Sequence, residues 1–284
     1  MTSRISKPVT LAIVLLTIAS LILTACQAAG PKDLLSTIKA RGVMRVSSDP
    51  NYKPQSFLND KGELDGFDID MSKEIAKRLG VKVEFVTPTW DVIVAGNWGG
   101  RWDVSIGSMT ITPERKQVLF FSPPYYYTPA QFAVHKDSKL ATVDDFSGKT
   151  VCVGSGTTYE SYLNGQLKLE GEPILKQVAG VKKVQTFETD AECIQAIQAG
   201  RTEIDGVLTA LPTVEDAIKN GAPIKKIGDP VYYEDLAVAF DQKVPNSQSF
   251  VDAVSKIVAD MHKDGTLTNL AIKWYGVDLS AKKQ

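Results

Sequence analysis

Gly107-Ser108-Met109-Thr110-Ile111-Thr112-Pro113-Glu114-Arg115 follows the apolar run Val104 to Ile106. The run reads as a short strand that passes into small polar residues and then meets a helix start. Thr112 suits an N-cap, Pro113 the first helical position, and Glu114 the positive end of the helix. Arg115 then falls in the first turn, near the carboxyl end of a strand, where open α/β sheets place their ligand crevices. Hydroxyls beside one guanidinium fork form a receptacle for a carboxylate. An arginine at a helix start is also a common surface residue, so the rest of the chain must decide between the two readings.

Outward from this stretch, strands and helices alternate in two blocks of similar rhythm. The first block is expected as strand 43–47, helix 68–79, strand 81–86, a short helix after Trp90 and strand 103–106. Met71, Ile75 and Leu79 share one face of its long helix, which stops at Gly80. The second is expected as strand 150–153, helix 157–167, strand 183–187, helix 190–199 and strand 204–208. Thr189 and Glu192 form a capping box for its last helix. In both blocks a Gly-Arg pair (Gly100-Arg101, Gly200-Arg201) precedes an acidic residue and a hydrophobic strand. Such alternation implies α/β architecture with two largely parallel sheets. Extended stretches at 125–134 and 228–239 read as two crossings between lobes. The tail, 246–262 and 264–276, reads as two helices broken at Gly265 that return to the first lobe. Two lobes joined by two crossings make a hinged clam, a geometry suited to binding.

Composition agrees with a globular chain. Of 284 residues, 43% are hydrophobic and 23% charged, and the net charge is −1, with both signs interspersed. Neither a basic nucleic-acid face nor an acidic tail is present. The first residues differ: Arg4 and Lys7 precede an uncharged apolar run from Val9 to Leu23. That run is short for a membrane span and reads as a secretory signal over residues 1–25. Leu23-Thr24-Ala25-Cys26 resembles a bacterial lipobox, which implies diacylation of Cys26, a tether over 26–32 and anchoring at the outer face of the cell membrane. Cleavage leaves the mature chain without Arg4 and Lys7, at a net charge of −3. Cys152 and Cys193 then remain in an exported compartment, either as a disulfide or as two buried thiols; spacing leaves both open. His135 and His262 are isolated, so no metal site is indicated. Neither a cofactor nor a nucleophile–histidine–acid arrangement is indicated.

Asp49 and Tyr52 follow the first strand and Trp90 the second, so all three project towards the crevice of Ser108, Thr110 and Arg115. Tyr52 and Trp90 are suited to flank the apolar or cationic part of a small ligand. On the second lobe, Gly154-Ser155-Gly156-Thr157-Thr158 joins a strand to a helix, where glycines admit close approach and the helix start offers N–H groups to an anion. No Gly-Lys-Ser/Thr follows, so this is not a Walker loop.

Asp49-Pro50-Asn51-Tyr52-Lys53-Pro54, Gly66-Phe67-Asp68-Ile69-Asp70, Ser108 to Arg115, Gly154 to Thr158, and Asp264-Gly265-Thr266-Leu267 with Lys273-Trp274-Tyr275-Gly276 occur in one order. Together they resemble the polar amino-acid-binding proteins of bacterial ABC importers, solute-binding protein family 3, over about Asp33 to Gly276. The resemblance implies a type II periplasmic-binding-protein-like fold. The first lobe would span 33–130 with 236–284, and the second 131–235. It also implies a monomeric, non-enzymatic binding protein that delivers a small amino acid or related carboxylate to an ABC permease. In the family pattern Arg115 grips the α-carboxylate, helped by the hydroxyl and N–H of Thr110 and N–H groups around Thr157 and Thr158. Ser108 offers its carbonyl to the α-ammonium, and Asp49, Tyr52 and Trp90 contact the side chain. Gly66 to Asp70 is implied to be structural.

One departure stands out. The family usually carries an ammonium-binding aspartate where this chain has Ala210, in Thr209-Ala210-Leu211-Pro212. Asp49, Glu234 and Asp235 are the replacements the sequence offers. Two alternatives share the scaffold: a cyclohexadienyl dehydratase-like enzyme, for which no acid singles itself out, and a ligand-sensing binding protein.

Overall fold

The computed structural model describes residues 33–282; the expected signal segment, Cys26 and the tether lie outside the described residues. Helix α1 (Leu34–Arg41) is capped by Asp33, which accepts from the Ser36 N–H. Strand β1 (Val43–Ser47) follows, then a small antiparallel sheet of β2 (Asn51–Tyr52), β3 (Ser56–Leu58) and β4 (Leu64–Asp65). Helix α2 (Phe67–Leu79) carries Asp68 and Asp70 in its first turn and Lys77 and Arg78 in its last, as the helix dipole favours. It buries Phe67, Met71 and Ile75. Its start requires Gly66: φ is +127°, and a Cβ there would lie 2.4 Å from the Gln55 carbonyl oxygen. That close approach closes the small sheet onto the helix.

The first lobe continues through β5 (Lys82–Val86), α3 (Trp90–Val94) and β6 (Val104–Thr110), and a long strand β7 (Leu119–His135) leaves it. The second lobe contributes β8 (Thr150–Gly154), α4 (Thr158–Leu163), β9 (Lys183–Phe187), α5 (Asp190–Gln198), β10 (Gly206–Ala210) and α6 (Leu211–Lys219). Strand β11 (Ile224–Asp241) returns, and α7 (Gln248–Lys263) and α8 (Thr266–Tyr275) finish the chain.

The sequence implies two largely parallel sheets, and the structure corrects this to one. Parallel trios β5-β1-β6 and β10-β8-β9 do form, but β7 and β11 link them into one curled sheet of order β5-β1-β6-β11-β7-β10-β8-β9. The two crossings are antiparallel to each other along most of their length, which satisfies backbone groups that loops would leave to solvent. Register breaks between Ile227 and Tyr232 and between Leu236 and Ala239 interrupt the ladder.

Other boundaries also shift. Helix α4 ends at Leu163, and β10 starts at Gly206. Helix α6 was not anticipated, although Pro212 in its first turn is a normal helix-start residue. The helix expected from Pro113 is one 3-10 turn, Arg115–Gln117.

Each lobe has its own core. Met44, Val46, Phe67, Ile75, Ile106, Val254 and Met261 join the first-lobe sheet to α2 and the tail helices. In the second lobe, Val151 and Val153 pack on one face of β8 with Phe132, Phe146 and Tyr162, while Cys152 packs on the other with Cys193, Ile197 and Val207. Burial on both faces is the usual state of a parallel sheet. Cys152 and Cys193 form a disulfide, with Cα atoms 5.6 Å apart, which resolves the open alternative. Among the described residues no helix is long and apolar enough to cross a membrane.

Candidate ligand-binding cleft

Strand ends from both lobes meet around a cavity of about 50 Å³. All eight residues singled out in the sequence line it: Asp49, Tyr52, Trp90, Ser108, Thr110, Arg115, Thr157 and Thr158. Tyr159, Glu188, Asp190 and Glu234 also line it, with Gly107, Gly154 and Thr189.

Arg115 is buried, and two of its N–H groups are committed. Nη1 donates to the Thr110 carbonyl (3.0 Å) and Nη2 to the Gly156 carbonyl (3.1 Å), with the guanidinium 5.5 Å from the Trp90 ring centre. The Thr112 hydroxyl accepts from the Arg115 N–H at 3.2 Å, so the expected cap contact forms although the α-helix does not.

Ser108 takes a left-handed conformation (φ 54°). Its N–H donates to the Tyr125 hydroxyl (2.9 Å), and its Oγ donates to Asp68 (2.7 Å) and accepts from Tyr126 (2.6 Å). Tyr125 donates to the second Asp68 oxygen at 2.7 Å. Burial pushes the Asp68 carboxyl up to about 7, against the pull of these hydroxyls. The Gly66–Asp70 stretch thus braces the end of β6 from behind.

Thr157 caps α4: its Oγ1 donates to the Gly154 carbonyl (2.7 Å) and accepts from the Glu160 N–H. Gly156 crosses the cleft closely. Its φ is +68°, and a Cβ there would lie 2.6 Å from Asp91 Oδ1. Its carbonyl accepts from Trp90 Nε1 (3.2 Å) as well as from Arg115. The Tyr52 and Tyr159 hydroxyls meet at 3.3 Å, and Lys53 stands 3.8 Å from Asp216. The lobes are closed on each other.

The acids are where sequence reasoning was least complete. Asp190, which it missed, is buried and accepts from the Gly154 N–H (2.7 Å) and the Thr209 hydroxyl (2.8 Å). Burial, with Asp49 and Glu234 nearby, pushes it up to about 7. The Asp190 carboxyl is thus bonded to the residue that precedes Ala210 in the chain. The signal was available, since the Thr189–Glu192 box puts Asp190 in the first turn of a helix that follows a strand's carboxyl end.

Glu234 is also buried, accepting from Thr110 Oγ1 (2.7 Å), the Thr158 hydroxyl and the Tyr159 hydroxyl (2.8 Å). Burial raises its pKa, while these hydroxyls and Arg115 oppose the rise. Asp49, which accepts from the Asn51 N–H, is raised mainly by burial. Asp235 drops out of the proposed replacements. Strand alternation turns it away from the cleft, and it lies 3.7 Å from Lys282.

The model of the bacterial extracellular solute-binding proteins, family 3, matches residues 44–277. The chain is similar to the L-cystine-binding protein TcyJ of Escherichia coli strain K12, at 33% identity over 250 residues, covering 87% of this chain and 88% of that protein. Among solved structures, the P235GK mutant of ArgBP from T. maritima superposes with a TM-score of 0.74 at 28% identity, covering 85% of this chain and 99% of the other. The ancestral amino acid-binding protein AncCDT-1, described as a precursor of cyclohexadienyl dehydratase, superposes with a TM-score of 0.72 at 33% identity, covering 86% and 100%.

Proposed function

We infer that this chain, which belongs to the bacterial extracellular solute-binding proteins of family 3, captures a small amino acid between its closing lobes for an ABC importer. The observation that carries this reading is the convergence of one buried arginine and several carboxyls from both lobes on a single cleft. Arginine has five N–H donors, and the two that Arg115 commits leave others for a ligand carboxylate. Asp190 and Asp49 supply acceptors for the α-ammonium in place of the acid absent at Ala210. Relatives named for cystine and arginine support an amino acid as ligand.

Ligand contacts from both lobes exist together only in the closed form, so binding shifts the population towards closure, and the permease reads that form. In this account residues 33–130 with 236–284 move against 131–235. The protein acts as a monomer, tethered at the outer face of the membrane through lipidated Cys26. Incorporation of a palmitate analogue tests the anchor: labelling should be lost in Cys26→Ser, and retained N-terminal labelling would refute it.

A thermal-shift screen of the mature protein against all amino acids and small carboxylates tests the binding reading; no stabilisation by any of them would sink it. The likeness to AncCDT-1, together with buried acids at the cleft, gives a dehydratase a specific basis. The binding reading expects no turnover of prephenate or arogenate by the purified protein.

A further inference from the structure

Glu234 joins the two walls of the cleft through hydroxyl groups that a ligand carboxylate would otherwise use. Its Oε1 accepts from Thr110 on β6 and from Thr158 at the start of α4, and its Oε2 accepts from Tyr159. A hydroxyl has one proton to donate. Thr110, Thr158 and Tyr159 therefore have none left for an incoming carboxylate, and Arg115 is the remaining cationic donor.

The charge around the cavity is lopsided. Arg115 is the sole Lys, Arg or His among the residues of its wall, whereas Asp49, Glu188, Asp190 and Glu234 all stand there. Asp190 and Glu234 are almost wholly buried, at 5% and 1% exposure, so water screens them little. A neutral zwitterion would place its carboxylate on Arg115 and one ammonium against these carboxyls, so the remaining acids must stay protonated or carry buried charge that no ligand cation balances. A ligand with one carboxylate and two cationic groups corrects that imbalance. Tyr52 brings an aromatic ring to the same wall, where a second cation can meet it.

We propose that the cleft selects amino acids of net positive charge, and that Glu234 is the residue that sets this preference. The proposal rests on the reading of the chain as an amino-acid-binding protein. Burial raises Asp49, Asp190 and Glu234 towards neutrality in the free cleft, so a cationic ligand displaces protons as it binds.

Calorimetric titration with arginine and citrulline separates charge from shape, because the two are nearly isosteric and differ by one charge. The wild-type protein is expected to bind arginine at least tenfold more tightly than citrulline, with proton release visible as a dependence of the heat on buffer. Glu234→Gln, checked by circular dichroism for an intact fold, is expected to narrow the arginine-to-citrulline ratio at least tenfold. A variant that merely loosened the cleft would weaken both ligands alike and keep the ratio, which would overturn the role of Glu234. Citrulline or another neutral amino acid binding the wild-type protein as tightly as arginine would overturn the charge preference and leave the amino-acid reading intact. If no amino acid binds, both fall.

Discussion

Asp68 has no surface in water, yet its carboxyl braces Ser108 and Tyr125. Burial raises it from an ordinary 3.8 to about 7, so the folded protein holds this proton over a range where the unfolded chain has lost it. Its contribution to stability is therefore full below about pH 4 and is lost as pH rises towards 7. Asp68→Asn, measured by urea unfolding, should become progressively less destabilised relative to wild type from pH 5 to pH 7, by up to about 1.4 kcal/mol per unit. A difference independent of pH would contradict the assignment. Asp190 titrates near the same value while facing Gly154, Thr209, Asp49 and Glu234, with Arg115 on the opposite wall. In the proposed reading the ionised form holds the ligand ammonium, so affinity should fall as pH drops from 8 to 6, and Asp190→Asn should flatten that profile. At this scale the sequence was readable wherever a residue type and its strand-end position coincide, as for Arg115, Thr110 and Tyr52. Glu234 was legible only as an acid, because its role depends on hydroxyls from β6 and α4 that sequence distance hides.

Elements were easier to read than their joints. The capping box of α5, the Gly80 stop of α2 and the break at Gly265 between α7 and α8 all appear where local signals put them. The turn at Arg115 did not become an α-helix, because β7 begins at Leu119 and leaves room for one 3-10 turn. The disulfide was open for a similar reason: Cys152 and Cys193 are 41 residues apart, and only the packing of α5 on β8 brings them together. Closing a loop of that length stabilises the fold by about 4 kcal/mol in the chain-entropy model. A Cys152→Ala, Cys193→Ala double variant should lose about 2–4 kcal/mol in denaturant unfolding. Equal stability with and without reductant would show that the bridge does not form. At Gly156 the turn itself is the joint. Gly156→Ala meets an unfavourable φ worth about 1–2 kcal/mol and drives a methyl into Asp91 across the cleft. Ligand affinity should drop at least tenfold while the melting temperature falls by only a few degrees; unchanged affinity would mean that closure does not need this approach.

For the whole molecule, the alternation of strands and helices was sufficient to expect two lobes and two crossings. It could not show that the crossings pair with each other and fuse two sheets into one, since β7 and β11 are separated by nearly the entire second lobe. That continuity puts Thr110 and Glu234 on adjacent strands and lets one carboxylate collect hydroxyls from both lobes. Ion pairs across the mouth, Lys53 with Asp216 and Lys116 with Glu170, lie at partly exposed positions where each contributes about 0–1 kcal/mol. They are too weak to hold the clam shut by themselves, and the proposed account adds ligand contacts at Arg115 to the hydrogen bonds that Gly156 and Glu234 make across the cleft. Isothermal titration of the ligand found by screening, into wild type and Arg115→Ala, tests that claim most directly. We expect affinity to fall at least a hundredfold in the variant with its fold intact; an unchanged dissociation constant would contradict the account.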